Sequence, residues 1–427
     1  MVNKVLNNMF KGDKVIWMVF FFLCIISVVE VYSASSQLTY KAGNYLGPIT
    51  KHAFLLLVGG ACTVTISYIP CRYFKTLTPF ALGFAILSLY VVLAIGASTN
   101  GAQRWISLGP IQFQPSEIAK GAMVLTTAQI LSALQTDHGA DKNAFKYILV
   151  VSLFLIPPIL KENFSTAALL SAVIFMMMFI GRVPMRQLGK LLTVGAIVVL
   201  LFISTIMVLG HDHEVPNKKM SLTETSAEQP GSEQKGGSGV KGLPRLDTWK
   251  SRINKFLSNE EVSPKDIDLD KDAQVAHANI AIASSNVVGK GFGNSEERDF
   301  MSQAYSDFIY AVIIEEMGVE GAFGVALLYI ILLFRTGRIA NRCENSFPAL
   351  LAMGLALLLV TQAIFNMMVA VGLVPVTGQP LPLISRGGTS SIINCAYIGV
   401  ILSVSRSAKK KNDEPQPVAE PVAATAE

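Results

Sequence analysis

The stretch SDFIYAVIIEEMGVEGAFGVALLYIILLF (306–334) decides how this chain folds. It is apolar almost throughout, yet Asp307, Glu315, Glu316 and Glu320 lie within it. From Phe308 to Phe334 it would extend about 40 Å as one helix, more than the roughly 30 Å hydrocarbon core of a bilayer. A single straight span fits neither its length nor its charges. Gly318, Gly321 and Gly324 permit a break, so the segment reads as a short half-helix, Asp307 to about Glu316, that dips into a protein-lined cavity and is followed by a true span. Asp307 then stands at the outer mouth of that cavity. At 100° per residue Glu315 lies about 80° from Asp307 and Glu316 about 180°, so only Glu315 is expected to look toward the same cavity.

Around this segment the same pattern repeats. Of 427 residues 51% are apolar and 15% charged, against about 25% charged in soluble domains. Apolar blocks fall at 15–33, 53–69, 80–97, 118–134, 147–160, 165–180, 191–209, 308–334, 347–374 and 390–404. The fold class that follows is an all-α integral membrane protein with about ten transmembrane helices and a large extracytoplasmic loop between spans seven and eight. The first block, followed by Ser-Ala-Ser, has the look of a signal peptide, but nine further spans make it an uncleaved anchor.

Loop charges orient the chain. Arg72, Lys75, Lys142, Lys146, Arg182, Arg186, Lys190, Arg335, Arg338, Arg342 and Arg406 fall on one side, which places both termini in the cytoplasm. This asymmetry accounts for the net charge of +5 and leaves no reason to invoke nucleic acid. The expected organisation is a cytoplasmic tail (1–14), spans one to seven (15–209), an extracytoplasmic loop (210–306), the half-helix with spans eight to ten (307–404), and a disordered cytoplasmic tail (405–427). Within the loop, 216–242 has a disordered composition and 249–256 could form an amphipathic interfacial helix. Residues 274–286 form a small-residue helix leading into the glycine-rich VVGKGFGNS (287–295). Cys24, Cys62, Cys71, Cys343 and Cys395 lack metal-binding or paired spacing, and His211, Asp212 and His213 lack a third ligand.

Three further places carry ionisable groups. In NGAQRWISLGPIQFQPSEIAK (100–120), Pro115 suits the first turn of span four and Glu117 the positive end of its dipole. Lys120, on the same face as Glu117, either pairs with it and snorkels outward or serves as a cation for an anionic headgroup or buried carboxylate. Arg104 is either an interfacial residue beside Trp105 or a phosphate clamp. The last loop, VPVTGQPLPLISRGGTSS (374–391), has backbone that survives near lipid only where protein buries it or a wet cavity borders it. For Asp307 the alternative to a functional carboxylate is helix capping by Ser306 or Asp307.

These stretches resemble the SEDS family (shape, elongation, division and sporulation), from the first span to about Arg406. NGAQRWISLG with FQPSEIAK is similar to its fourth-span signature, and KENFSTA (161–167) stands where the family has Q-P-D-[LF]-G-T-A. GKGFGNS (289–295), SDFIYAVIIEEMGVEG (306–321), Gln362, Asn366 and PVTGQPLPLISRGGTSS follow in the family's order. Departures are Asn163 for Asp, Ser165 for Gly, Tyr305-Ser306 for His-Thr, and Arg386 for Tyr, which adds a cation near the cavity. The resemblance, closer to the FtsW branch than to RodA, implies inverting glycosyl transfer that polymerises lipid II outside the membrane, in septal synthesis. It implies Asp307 as the base, and Lys120, Arg104, Glu117, Glu315 and Ser385 as substrate-binding residues, with Lys120 tuning Asp307 if the two approach. No cofactor is certain; a divalent cation, magnesium or manganese, is a candidate aid. The implied partners are a class B penicillin-binding transpeptidase and other division proteins. The alternative is a lipid II flippase or transporter, which intramembrane Lys120, Asp307 and Glu315 would equally suit.

Overall fold

A computed structural model describes residues 10–35, 47–95, 97–99, 102–108, 111–137, 139–209, 273–301 and 304–408. Helices occupy all ten apolar blocks: α1 (Lys14–Ala34), α2 (Gly47–Tyr68), α3 (Cys71–Ile95), α4 (Pro115–Ala133), α5 (Lys142–Glu162), α6 (Phe164–Ile180) and α7 (Met185–Leu209). After the small helix α8 (Ala273–Ser284) come α9 (Ile309–Ala340), α10 (Ser346–Ala370) and α11 (Thr389–Ser407). Among the described residues six of these, α1, α2, α3, α5, α9 and α10, are long and apolar enough to cross a membrane, and α6 is a shorter apolar helix. The protein is an α-helical multi-pass membrane protein.

Local chemistry sets the helix starts. The Asp13 side chain accepts from Val15 N and Ile16 N (3.0 and 3.2 Å), and Asp141 accepts from Asn143 N (2.7 Å), each meeting an orphan first-turn donor. Asn163 does the same for α6, accepting from Ser165 N and Thr166 N (3.1 and 3.4 Å). Amide replaces carboxylate here without losing the cap, because capping needs an acceptor oxygen rather than a charge. Pro115 opens α4, where its missing N–H costs no hydrogen bond.

The connection between α3 and α4, expected to be a loop, holds a small antiparallel sheet, β1 (Ala97–Thr99), β2 (Ala102–Leu108) and β3 (Ile111–Phe113). A second pair, β4 (Gln135–Thr136) and β5 (Gly139–Ala140), closes the turn after α4. The expected linker at 216–242, the amphipathic helix at 249–256, the histidines at 211–213 and the tail beyond 408 lie outside the described residues.

α10 is the central helix. It packs on α4, α6, α9 and α11, and Leu351, Ala352, Leu355, Ala356, Leu358, Leu359 and Ala363 are all buried. At the N-terminal end of α1, Asp13 pairs with Arg335 of α9 (2.8 Å) while its N–H donates to Ser405 of α11 (2.9 Å), tying three helices together.

α9 breaks at Gly318, whose φ of 69° and ψ of −172° are non-helical. In an unbroken helix Val319 and Glu320 would donate to the carbonyls of Glu315 and Glu316. Here Lys290 N and Gly291 N donate to them instead (2.9 and 2.8 Å), and Glu320 N turns to Val287 O (3.4 Å). The glycine-rich loop therefore repairs the break that the glycines of α9 permit.

Candidate active site

The loop 374–391 descends among four helices, and its buried carbonyls find side-chain donors in turn. Asn366 Nδ2 donates to Gln379 O (2.8 Å), Gln362 Nε2 to Pro380 O (3.0 Å), the Tyr329 hydroxyl to Pro382 O, and Ser27 Oγ to Ile384 O (2.7 Å). Gln379 Nε2 in turn reaches Thr166 Oγ1 on α6 (2.6 Å). Irregular backbone at this depth is stable because every one of these acceptors is matched.

Residues 305–307 lie along this loop. Arg386 N donates to Tyr305 O (3.0 Å), Ser385 Oγ donates to Ser306 O (2.6 Å), and Asn366 Nδ2 donates to Asp307 O (2.9 Å). The Asp307 carboxylate is half-buried. It accepts from Ser306 Oγ (3.1 Å) and lies against Gly378, where an added Cβ would come within 3.5 Å of Oδ2. Neither Ser306 nor Asp307 caps α9: the cap residue is Phe308, with no side-chain cap hydrogen bond. The carboxylate is thus kept from the helix end and presented beside the loop.

Lys120 neither snorkels nor touches Asp307. It is fully buried, and its ammonium donates to Glu117 Oε1 (2.9 Å) and Gln362 Oε1 (2.7 Å). Glu117 is also buried; its second oxygen, Oε2, has no hydrogen-bond partner among the described residues, and its carbonyl accepts from Tyr397 Oη (2.7 Å). A buried lysine needs a partner close by, and the residue three positions back on the same helix supplies it. The link from Lys120 to Asp307 is indirect: Gln362 holds the lysine, and Asn366, one turn further along α10, holds the aspartate's backbone.

Two more expectations are corrected. Glu315 does not look toward Asp307's surroundings; its buried carboxylate accepts from Lys290 Nζ (2.8 Å), Ser295 Oγ (2.5 Å) and Glu296 N (3.1 Å). Glu316 grips the same loop, accepting from Gly293 N (2.9 Å), Ser295 N (3.3 Å), Ser33 Oγ and Arg298 Nη1 (3.4 Å). The simple angular argument fails because both glutamates sit one turn before the break, where the inserted loop, rather than a cavity, faces them. Ser385 is likewise buried, accepting from Leu381 N (2.7 Å) while donating to Ser306 O, so it staples two loops. Arg104 lies in β2, and its side chain is outside the described residues.

The loop around Lys290 lies outside the spans. Its hydrogen bond to Glu315 raises the Lys290 ammonium above the usual lysine value, with Glu296 adding to the shift. Among the described residues no group of three or more His, Cys, Asp or Glu could hold a metal. The amides that organise the site, Gln362, Asn366 and Gln379, carry no charge, so the search for ionisable groups in the sequence passes over them. The sequence does mark two of them: Gln362 and Asn366, four apart in an otherwise apolar span, must face polar partners inside the bundle.

Comparisons agree with this architecture. The family model described as Cell cycle protein, covering FtsW, RodA and SpoVE, matches residues 13–230 and 240–410. The chain is 29% identical over 400 residues to the probable peptidoglycan glycosyltransferase FtsW of Aromatoleum aromaticum, covering 90% of this chain and 85% of that one. It is 26% identical over 395 residues to the peptidoglycan glycosyltransferase MrdB of Escherichia coli K12, covering 92% and 93%. Its fold matches a chain from a peptidoglycan synthase complex that coordinates polymerization and crosslinking (TM-score 0.67, 23% identity, 93% and 98% covered). It also matches the rod shape determining protein RodA of Thermus thermophilus (TM-score 0.60, 22% identity, 94% and 99% covered). With the family model spanning nearly the whole chain, and the motifs gathered around one loop, this chain belongs to the SEDS family of FtsW, RodA and SpoVE cell cycle proteins, as an FtsW-like member.

Proposed function

We propose that this protein is an inverting peptidoglycan glycosyltransferase that polymerises lipid II on the outer face of the bacterial cytoplasmic membrane, serving septal synthesis. The observation that carries the reading is Asp307: a half-buried carboxylate that caps no helix and lies against Gly378 of the 374–391 loop, its backbone held by Asn366 and that of its neighbour Ser306 by Ser385. An α-linked donor that yields a β-1,4 bond calls for inversion in one displacement. The acceptor hydroxyl oxygen attacks the anomeric carbon, its proton passes to Asp307, and the bond to the pyrophosphate breaks to release the lipid carrier.

The surrounding side chains position rather than react. Asn366 fixes the Asp307 backbone, Gln362 and the Lys120–Glu117 pair fix α10 against α4, and Ser385 locks Ser306 to the loop. Fixing a base to within a fraction of an ångström is what converts a bound hydroxyl into a near-attack geometry. Magnesium- or manganese-type ions are commonly held by one or two carboxylates plus substrate phosphates, a demand that Asp307 with a pyrophosphate would satisfy. Relatives called peptidoglycan glycosyltransferases and a structural neighbour from a synthase complex support both the reaction and a penicillin-binding transpeptidase as partner.

The test is polymerisation of purified lipid II by the reconstituted protein with its transpeptidase, across a divalent-cation series. Wild type should make long glycan, and Asp307→Asn none while remaining folded in the membrane. Normal glycan from Asp307→Asn removes the aspartate from the mechanism. No glycan from a folded, assembled wild-type complex favours lipid II transport.

A further inference from the structure

Two departures from the family's motifs, Tyr305 and Arg386, are neighbours in the fold. Arg386 N donates to Tyr305 O (3.0 Å), and the guanidinium lies over the Tyr305 ring, 5.5 Å from its centroid. Where the family's motifs have His and Tyr, this chain has Tyr and Arg, and the two departures form one aromatic–cation contact here. The guanidinium takes part in no ion pair or side-chain hydrogen bond among the described residues. That sets it apart from the other cations of the inner frame, since Lys120, Lys290, Arg298 and Arg335 each face a carboxylate.

Its place is equally specific. Arg386 follows Ser385, whose hydroxyl is bonded to Ser306 O, and Gly378 of the same loop lies against the Asp307 carboxylate. Tyr305, Ser306 and Asp307 therefore each touch one loop, the loop that carries Arg386. A guanidinium stacked on an aromatic ring keeps its edge available for planar, bidentate hydrogen bonding to a phosphate while losing little rotamer entropy on binding. Half-buried as it is, it has lost part of its hydration, so an incoming anion displaces less water.

We infer that Arg386, oriented by Tyr305, is a binding residue for the pyrophosphate of the lipid-linked donor, set beside Asp307. The inference rests on the glycosyltransferase reading for the identity of that donor, but the anion site itself does not. Tyr305 is the positioning residue, acting only through the arginine.

The experiment uses the full chain in nanodiscs and two readouts. Binding of inorganic pyrophosphate is measured by calorimetry in phosphatidylcholine discs and again in phosphatidylglycerol discs, and steady-state polymerisation gives KM and kcat for lipid II. Arg386→Gln should weaken pyrophosphate binding about tenfold, as expected for loss of a charge-assisted bidentate pair, and raise KM more than it lowers kcat. Arg386→Lys, which keeps the charge but not the fork, should fall between. Tyr305→Leu should lose a smaller factor, whereas the double exchange Tyr305→His with Arg386→Tyr should fold normally and remain weak in pyrophosphate binding.

Unchanged pyrophosphate affinity in Arg386→Gln, with a melting temperature like the parent's, overturns the inference. If Arg386→Gln does not fold, Arg386→Lys binding pyrophosphate as tightly as the parent overturns it equally. An effect of Arg386 seen only as altered response to phosphatidylglycerol, with pyrophosphate binding unmoved, assigns the residue to a bulk headgroup and also overturns it. Arg386-dependent pyrophosphate binding in a protein that makes no glycan would sustain the anion site and reject the polymerase reading alone.

Discussion

Gly289 and Gly318 meet backbone to backbone, both with positive φ (80° and 69°), at the point where the glycine-rich loop enters the break in α9. A Cβ on Gly318 would stand 2.6 Å from Gly289 N, and one on Gly289 would stand 2.6 Å from Glu316 C. Neither position has room for a methyl group or a backbone conformation that welcomes one. The contact lets three groups freed by the break, the carbonyls of Glu315 and Glu316 and the N–H of Glu320, pair across the two segments.

Gly289→Ala and Gly318→Ala should each destabilise the protein by about 2–4 kcal/mol, combining left-handed backbone strain with overpacking. Gly293→Ala isolates the first of these, because Gly293 also has positive φ (79°) but nothing within 4 Å of an added Cβ; about 1 kcal/mol is expected. Gly324→Ala, in a helix and likewise unobstructed, should be neutral or slightly stabilising. Thermal melts in detergent check the ranking, and equal losses at 289 and 293 would refute the steric account.

Lys120→Met should cost about 3–5 kcal/mol, because it strands the buried Glu117 carboxylate. Replacing both partners, Lys120→Met with Glu117→Gln, should recover a large part of that loss. A double-mutant cycle on denaturation midpoints reads the coupling; additive losses would show that the two charges do not depend on each other.

Asn366→Leu removes the donor to Asp307 O and Gln379 O while preserving approximate volume. Polymerisation should fall by about a hundredfold, the scale of a misplaced catalytic group, with kcat affected more than KM. A rate within twofold of the parent's would show that Asp307 does not need this brace.

Asn163→Ala should cost about 1 kcal/mol through loss of the α6 cap, and Asn163→Asp should restore it and add about 0.3–1 kcal/mol from the helix dipole. Melting curves of the three proteins settle the order. Legibility differs between these cases: the cap at Asn163 is local and could be read from three adjacent residues, whereas the Asn366 brace joins residues 59 apart in the chain.

Lys290→Met should loosen the loop on Glu315, seen as faster amide exchange at 287–298. The pH dependence has a defined sign. Since the folded lysine's pKa is raised by Glu315, the stabilisation is complete below the unfolded value of about 10.4 and is lost as pH rises through the higher folded value. Parent protein should therefore show the variant's exchange only under strongly alkaline conditions.

From the sequence alone came the ten helices, the break near Gly318, a small-residue helix expected at 274–286 and found at 273–284, and the place of Asp307 just ahead of α9. Each follows from a local property: the length of an apolar run, a glycine's backbone freedom, or the cost of a carboxylate inside a span. Tertiary structure alone decided what the remaining polar groups face. Lys120 meets Gln362 across 242 residues, Ser385 meets Ser306 across 79, and Glu315 turns to a loop 20 to 25 residues earlier instead of to Asp307. Helical angle gives a direction around one axis, but which segment fills that direction depends on how ten helices and a buried loop pack. Arg386 shows the same division: its charge can be read from the sequence, while its pairing with Tyr305 beside Asp307 exists only because two distant loops share one set of hydrogen bonds.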